Sequence, residues 1–263
     1  MARMRKKKNL DVRMARCDYL LEKNPAGLKG RWREEKMPSA SGIRLELGCG
    51  KGRFTSEIAE RNPETLFIAV ERVADALVVA MERCADAGLE NVCFLCEDAA
   101  HLGEFFAPGE VDGIYLNFPD PWPAKRHARR RMVHEDFLKS YRAVLRSGGE
   151  IAFKTDNKPL FEFSLTQFPR AGYEIRQVTY DLHSEEPDTV MTDFETVFHE
   201  QGTKIYRCIA AKEEAVPEKP GEEPLQSLLD YWQEGDPVPR GMDEQALRQR
   251  ARERQEAENE QNQ

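Results

Sequence analysis

From residue 43 to residue 211 the chain alternates short apolar runs with amphipathic stretches, a pattern that predicts βα units around a largely parallel sheet. Five runs read as strands: IRLELG (43–48), TLFIAV (65–70), VCFLCE (92–97), GIYLNF (113–118) and EIAFKT (150–155). Two later ones, YEIRQVTYDL (173–182) and KIYRCIAA (204–211), bring the count to seven. Helices are expected over 53–61, 73–88, 134–145 and 158–168. In the second of these, Ala76, Leu77, Ala80, Met81 and Cys84 recur at helical spacing, so that face is expected to pack on the sheet. Ser147-Gly148-Gly149 is expected to stop the third helix.

Composition changes at both ends. Residues 1–36 carry 12 Lys/Arg against 5 Asp/Glu, which marks 1–40 as a basic N-terminal extension ahead of the α/β domain over 41–211. Residues 211–263 carry 14 Asp/Glu against 7 Lys/Arg, a net of −7, and so account for nearly all of the chain's net charge of −8. The overall acidity therefore does not argue against a nucleic-acid partner, because the rest of the chain is near neutral with local basic clusters. The tail (212–263) opens with a VPEKPGEEP linker, continues with QSLLDYWQ, one short amphipathic turn, and ends in a helix-prone stretch nearly devoid of apolar residues. Disorder or a solvated helix is expected there, since so little surface can be buried against the entropy of ordering.

No apolar run approaches the roughly 20 residues needed to cross a bilayer, and MARMRKKKNL is no signal peptide, so a cytoplasmic location is expected. The six cysteines lack disulfide-scaffold spacing. Cys93 and Cys96 form C-x-x-C, but within a strand residues three apart face opposite ways, and no second pair completes a metal site. No metal is expected.

Candidate chemistry begins at LELGCGKGRF. Gly48, Gly50 and Gly52 follow a strand and precede a helix, where backbone turns with positive φ and approaches a ligand without a Cβ. The G-x-G-x-G spacing differs from the G-x-G-x-x-G of dinucleotide sites, and Glu46 precedes it. Both favour S-adenosylmethionine, with Glu46 toward its methionine end. Glu71 ends the second strand, 19 residues beyond Gly52, where a carboxylate can accept ribose hydroxyls. Asp98, beside Ala99, ends the third, where it would meet the adenine amine. A single acid in such a place is commonly a helix cap. With Asp120 after the fourth strand, though, four acids fall at successive strand ends, the edge where open α/β sheets bind ligands.

That fourth strand runs into NFPDPWPAKRHARRR. Pro119, Pro121 and Pro123 hold the backbone extended, Trp122 offers a stacking surface, and Lys125, Arg126, Arg129, Arg130 and Arg131 suit phosphates. A proline-rich turn with a solvated basic helix start is the blander reading.

Here the chain closely resembles the bacterial tRNA (guanine-N7-)-methyltransferase family of the TrmB type, through LELGCGKG, IAVER, EDA, NFPDPWPAKRHARRR, FKTDN and TDFE over residues 43–198. RMRKKKNLDVRMA and GLKGRW extend the likeness to the N-terminus. The resemblance implies a Rossmann-like class I S-adenosylmethionine-dependent methyltransferase, α/β, with a seven-stranded mostly parallel sheet and helices on both faces. It implies methylation of guanosine N7 at tRNA position 46. Cofactor contacts implied are Glu46, Gly48, Gly50, Gly52, Glu71, Arg72, Asp98, Ala99, Asn117 and Asp120, with Asp120 also the catalytic residue in a positioning sense. Substrate contacts implied are Ala124, Lys125, Asp156, Thr192, Asp193, Phe194 and Glu195. The family usually has lysine immediately after D-P-W-x; this chain has Ala124, with Lys125 next.

Guanine N7 carries a lone pair and no hydrogen, so catalysis should rest on positioning and field rather than a strong base. Methylation of another RNA base or of an amino group is the enzymatic alternative. A non-enzymatic RNA-binding module would need the basic clusters but not the four acids. The partner expected is tRNA, with no membrane, and the protein a monomer or homodimer.

Overall fold

The computed structural model describes residues 8–214, 226–239 and 242–261. The strands are β1 (Gly42–Leu47), β2 (Thr65–Val70), β3 (Val92–Leu95), β4 (Val111–Asn117), β5 (Leu145–Thr155), β6 (Tyr173–Thr179) and β7 (Tyr206–Lys212). The helices are α1 (Leu10–Arg16), α2 (Trp32–Lys36), α3 (Arg53–Arg61), α4 (Ala74–Asp86), α5 (Leu102–Phe105), α6 (Glu135–Val144), α7 (Lys158–Arg170), α8 (Leu182–Glu185), α9 (Asp193–Glu200) and α10 (Glu244–Gln261).

All seven strands join one sheet in the order β3-β2-β1-β4-β5-β7-β6, parallel except for β7, which runs antiparallel to both its neighbours. The chain works outward from β1 to β3, then returns to place β4 on the other side of β1. That reversal opens a crevice above the carboxyl ends of β1 and β4. Side chains alternate across the strands. Ile43, Leu45, Leu47, Ile114, Leu116, Ile151 and Phe153 face the core beneath α5, α6 and α7. On the opposite face Phe67, Ala69, Val92 and Phe94 meet the α4 stripe of Leu77, Ala80, Met81 and Cys84, all four fully buried. Helices thus cover both faces, as the pattern requires. Cys93 is buried and Cys96, one residue past β3, is exposed.

Three expectations change. The glycines at 148–149 do not stop α6, which ends at Val144; they lie inside β5. Pairing jumps from Val111–Leu145 to Gly113–Glu150, and the residues between bulge out. Gly148 takes φ +67°, and a Cβ on Gly149 would sit 3.0 Å from the Arg146 carbonyl oxygen, so glycine serves a bulge here. From residue 8 onward the N-terminal segment is built into the domain (residues 1–7 lie outside the described residues): Trp32 is fully buried, stacks on Phe106 and donates its indole N–H to the Phe105 carbonyl at 2.9 Å. Leu21 bridges to Phe94, so this segment also covers the open edge of β3. Third, the described part of the tail is packed where the sequence predicts disorder or a solvated helix: QSLLDYWQ forms its expected short turn (Leu228–Tyr231), but Leu228 is fully buried, as are Trp232 beyond it and Leu247 of α10. Leu228 joins the core cluster that includes Leu160, Phe161 and Phe163 of α7, and so seats this turn on that helix.

Candidate active site

The β1–α3 loop turns left-handed three times, with φ of +78° at Gly48, +56° at Gly50 and +73° at Gly52. The three glycines differ in what they leave room for. Around Gly48 and Gly50 a Cβ would meet nothing within 4 Å, so their bare backbone borders open space. At Gly52 it would lie 2.5 Å from the Ala80 Cβ. Gly52 therefore lets α3 pack against α4, a packing role beside the ligand contact expected of its backbone. Gly52→Ala combines a positive φ with a backbone-level clash and should cost about 2–4 kcal/mol of stability in urea denaturation. A midpoint unchanged from the parent protein would contradict this packing role.

Glu46, next to last in β1, is buried under this loop. One carboxylate oxygen accepts from the Thr55 hydroxyl and the other from Asn117 Nδ2 at 3.0 Å, which ties β1 to α3 and to the end of β4. Burial raises its pKa from 4.5 to about 7, against the lowering effects of Thr55, Asn117 and Lys154. An acid with a raised folded-state pKa holds its proton while the unfolded chain releases it. Stability contributed by this group is present below pH 4.5, falls as pH rises toward 7, then levels off. Glu46→Gln should flatten that slope in denaturation at pH 5 and pH 8, an effect of about 2–3 kcal/mol. The Asn117 Oδ1 is buried with no hydrogen-bond partner among the described residues. An unmet buried acceptor at the switch point suits a ligand N–H.

Glu71 follows β2, and its two oxygens accept from the backbone N–H of Gly50 (3.2 Å) and of Val73 (2.8 Å). It locks the glycine loop onto the second strand end, and each oxygen keeps a lone pair for a hydroxyl. Asp98 caps the turn Ala99–His101, accepting from the Ala100 N–H at 2.9 Å, with Arg72 4.0 Å from its other oxygen. Ala99 packs against the core.

Beyond Asn117 the loop holds two non-glycine residues at positive φ, Phe118 (+51°) and Trp122 (+45°). Such backbone costs about 1–3 kcal/mol per residue and persists where surrounding structure fixes it. Asp120, between them, is exposed; partial desolvation raises its pKa and Arg72 opposes that rise. The Trp122 ring has the Arg130 guanidinium 5.1 Å from its centre and His127 edge-on at 5.5 Å. Ala124 precedes the 3-10 turn Lys125–Arg130, where Lys125, Arg126, Arg129 and Arg130 are exposed. Arg131 is not. It is fully buried, donates to the Trp122 carbonyl at 3.2 Å and the Pro123 carbonyl at 3.3 Å, and lies 4.4 Å from the Phe163 ring centre. Burial lowers its pKa to about 10. Arg131 is a strut of this loop and is unavailable to phosphate, a correction to its place in the basic cluster.

The TDFE segment is the start of α9. Thr192 caps it, accepting from the Glu195 N–H at 3.0 Å, while the Glu195 carboxylate accepts from the Thr192 N–H at 3.2 Å. Asp193 pairs with Arg83 of α4 at 3.2 Å, and Arg53 of α3 donates to the Thr196 hydroxyl at 2.7 Å. Phe194 is 60% exposed. Glu195 is fully buried, 2.7 Å from Lys154 Nζ and 3.3 Å from His183 Nε2. In this conformation it holds α9, while its Oε1 is buried without a hydrogen-bond partner among the described residues. Asp156, half-buried, follows β5 between Thr155 and Asn157, whose side chain caps α7 by accepting from the Leu160 N–H at 2.9 Å.

Lys154 is the residue the sequence reading passed over. It is buried in β5, donates to Glu195 and to the Val190 carbonyl (2.9 Å), sits 5.1 Å from the Phe54 ring centre, and has its pKa lowered by burial against the pull of Glu195. Its signal was available: a lysine inside an apolar strand run demands a buried partner. Among the described residues no three His, Cys, Asp or Glu side chains are grouped to hold a metal.

The sheet order and the crevice define a class of protein, the Rossmann-like class I methyltransferases. Solved structures bear the fold out. The 16S rRNA methyltransferase KamB matches with a TM-score of 0.55 at 17% identity, over 68% of this chain and 92% of that one. A 16S rRNA (adenine(1408)-N(1))-methyltransferase from Catenulisporales acidiphilia, solved with its cosubstrate SAM, matches with a TM-score of 0.53 at 17% identity, over 73% and 93%.

The family described as "Putative methyltransferase" matches residues 41–208. Proteins called tRNA (guanine-N(7)-)-methyltransferase are similar over most of the chain. That of Lactococcus lactis subsp. cremoris is 42% identical over 211 residues, 79% of this chain and 97% of its own. That of Brevibacillus brevis is 45% identical over 190 residues, 72% and 88%. The chain belongs to the tRNA (guanine-N(7)-)-methyltransferase family.

Proposed function

We propose that this protein methylates N7 of the guanosine at position 46, in the variable loop of tRNA, using S-adenosylmethionine, in the cytoplasm. The observation that carries the reading is the junction of β1 and β4, where open glycine backbone, the buried Glu46–Asn117 pair and the strained Asp120 loop adjoin. No helix among the described residues is long and apolar enough to cross a membrane.

The residues present fit the cofactor. Gly48 and Gly50 leave room at their backbone, Asn117 Oδ1 lacks a partner, and the Glu71 carboxylate stands at the second strand end. Asp98 and Arg72 flank the third. S-adenosylmethionine, when bound, supplies a methyl group on a cationic sulfur. Glu46, poised near neutrality, would surrender its proton as that positive charge arrives, so donor binding should release protons around pH 7. Guanine N7 needs no deprotonation. Asp120 and Asp156 are therefore assigned to accept the N1–H and N2–H₂ edge, orienting N7 and opposing the positive charge that develops on the ring. Thr192, Asp193 and Phe194 flank the base from α9, with Glu195 holding that helix from behind.

The test is transfer of a radiolabelled methyl group to unmodified tRNA, with the product mapped. 7-Methylguanosine in the variable loop is expected; a methyl on an exocyclic amine or another base would overturn the reading. Phosphate contacts are assigned to Lys125, Arg126, Arg129 and Arg130. Replacing Arg129 and Arg130 by alanine should lower the salt slope of tRNA binding by roughly 1–2. An unchanged slope across a chloride series would remove them from the RNA surface.

A further inference from the structure

The Asp120 loop does not hold its shape alone. Its two left-handed residues, Phe118 and Trp122, are strained, and its last carbonyls point into a node that the C-terminal tail completes. Pro123 O accepts the Leu228 N–H at 3.0 Å and the Ser227 hydroxyl at 3.2 Å. The buried Arg131 guanidinium bridges the two chain segments, donating to Trp122 O and Pro123 O on one side and to Gln226 O at 3.0 Å on the other. Phe163 of α7 has the Arg131 guanidinium over its ring and meets Tyr231 in a T-shaped pair, with ring centres 5.9 Å apart. The tail is anchored by apolar burial at Leu228 and Trp232, by the 2.5 Å pair of Lys158 with Asp236, and by Arg254 of α10 donating to Trp232 O at 2.6 Å. Residues 226–239 lie outside the span 41–208 matched by the methyltransferase family.

We propose that residues 226–239 are a positioning strap, which fixes the Asp120 loop through Pro123 and Arg131 and so sets the rate of methyl transfer. The link to rate rests on the function proposed above; the link to loop order does not. Arg131 acts through the backbone it holds and is a positioning residue. The donor crevice is built from the ends of β1, β2 and β3 and from Asn117 at the end of β4, none of which takes part in these bonds, so the strap should govern turnover more than donor binding.

The experiment uses the full-length chain carrying Leu228→Ala with Trp232→Ala. Amide hydrogen exchange over residues 118–134 is expected to quicken about tenfold or more. In the same protein kcat on tRNA should fall about tenfold while the donor's affinity, by calorimetry, stays within about twofold. Trp232→Phe, which keeps the ring buried, should restore both. Faster exchange in residues 226–239 with none at 118–134 would overturn the strap, as would an equal loss in donor affinity and kcat. Should the double variant fail to fold, Ser227→Ala removes one bond to Pro123 without emptying a pocket; exchange at 118–124 must then rise by at least about twofold, and no rise refutes the proposal. If the unaltered protein left tRNA unmethylated, the proposed function would fall, and the exchange result would still decide whether the tail orders the loop.

Discussion

Asp120→Ala is expected to lower kcat on tRNA by about 100-fold or more while donor affinity changes by less than about threefold. The expectation follows from its location. Asp120 projects from a loop held by Arg131, flanked directly by Pro119 and Pro121 and strained two residues away on each side at Phe118 and Trp122, so its carboxylate is fixed at little further entropic cost when a base arrives. Its raised pKa adds a pH signature. The carboxylate is the useful form, so activity should be full above the raised pKa and fall as pH drops through it, on a limb displaced upward from that of an ordinary aspartate. Glu71→Ala is the contrast, because it unlatches Gly50 and should weaken the donor first. Full turnover in Asp120→Ala, with loss in Glu71→Ala, would remove Asp120 from the catalytic assignment.

Lys154→Met should destabilise the fold by about 3–5 kcal/mol, since it strands the Glu195 carboxylate in a site with no exposure. Because Glu195 also closes the capping box of α9, the helix carrying Thr192, Asp193 and Phe194 should loosen with it, raising KM for tRNA. Pairing the change with Glu195→Gln removes the stranded charge and should recover much of the loss, a coupling of about 2 kcal/mol or more in a double-mutant cycle of urea denaturation. Additive losses would mean that lysine and glutamate sit side by side without depending on each other.

Most of the sheet was legible because a parallel strand buried on both faces must be an apolar run, and this chain has five, four of them within a residue or two of the observed strands and the fifth matching only the part of β5 beyond its bulge. The four acids were legible for a similar reason, since the end of each run marks the edge where a ligand can sit. What periodicity could not tell was how the same residue type is used once packed. Gly48 and Gly52 share a left-handed φ, yet one opens on space and the other on Ala80, a difference set by α4 from more than twenty residues away. Asp98 and Thr192 have the residue types of both ligand contacts and helix caps, and the backbone N–H groups they meet show that each is at least a cap.

The order of apolar runs and their acidic, glycine-rich ends determined the α/β class, the edge that carries the site and the family to which the chain belongs. Burial and pairing were decided only in three dimensions. Arg131 reads as one more cation in ARRR, and Leu228 and Trp232 as part of one short amphipathic turn in an acidic tail. The contacts that bury them come from segments about 30 to 100 residues away, and no local pattern encodes contacts at that separation.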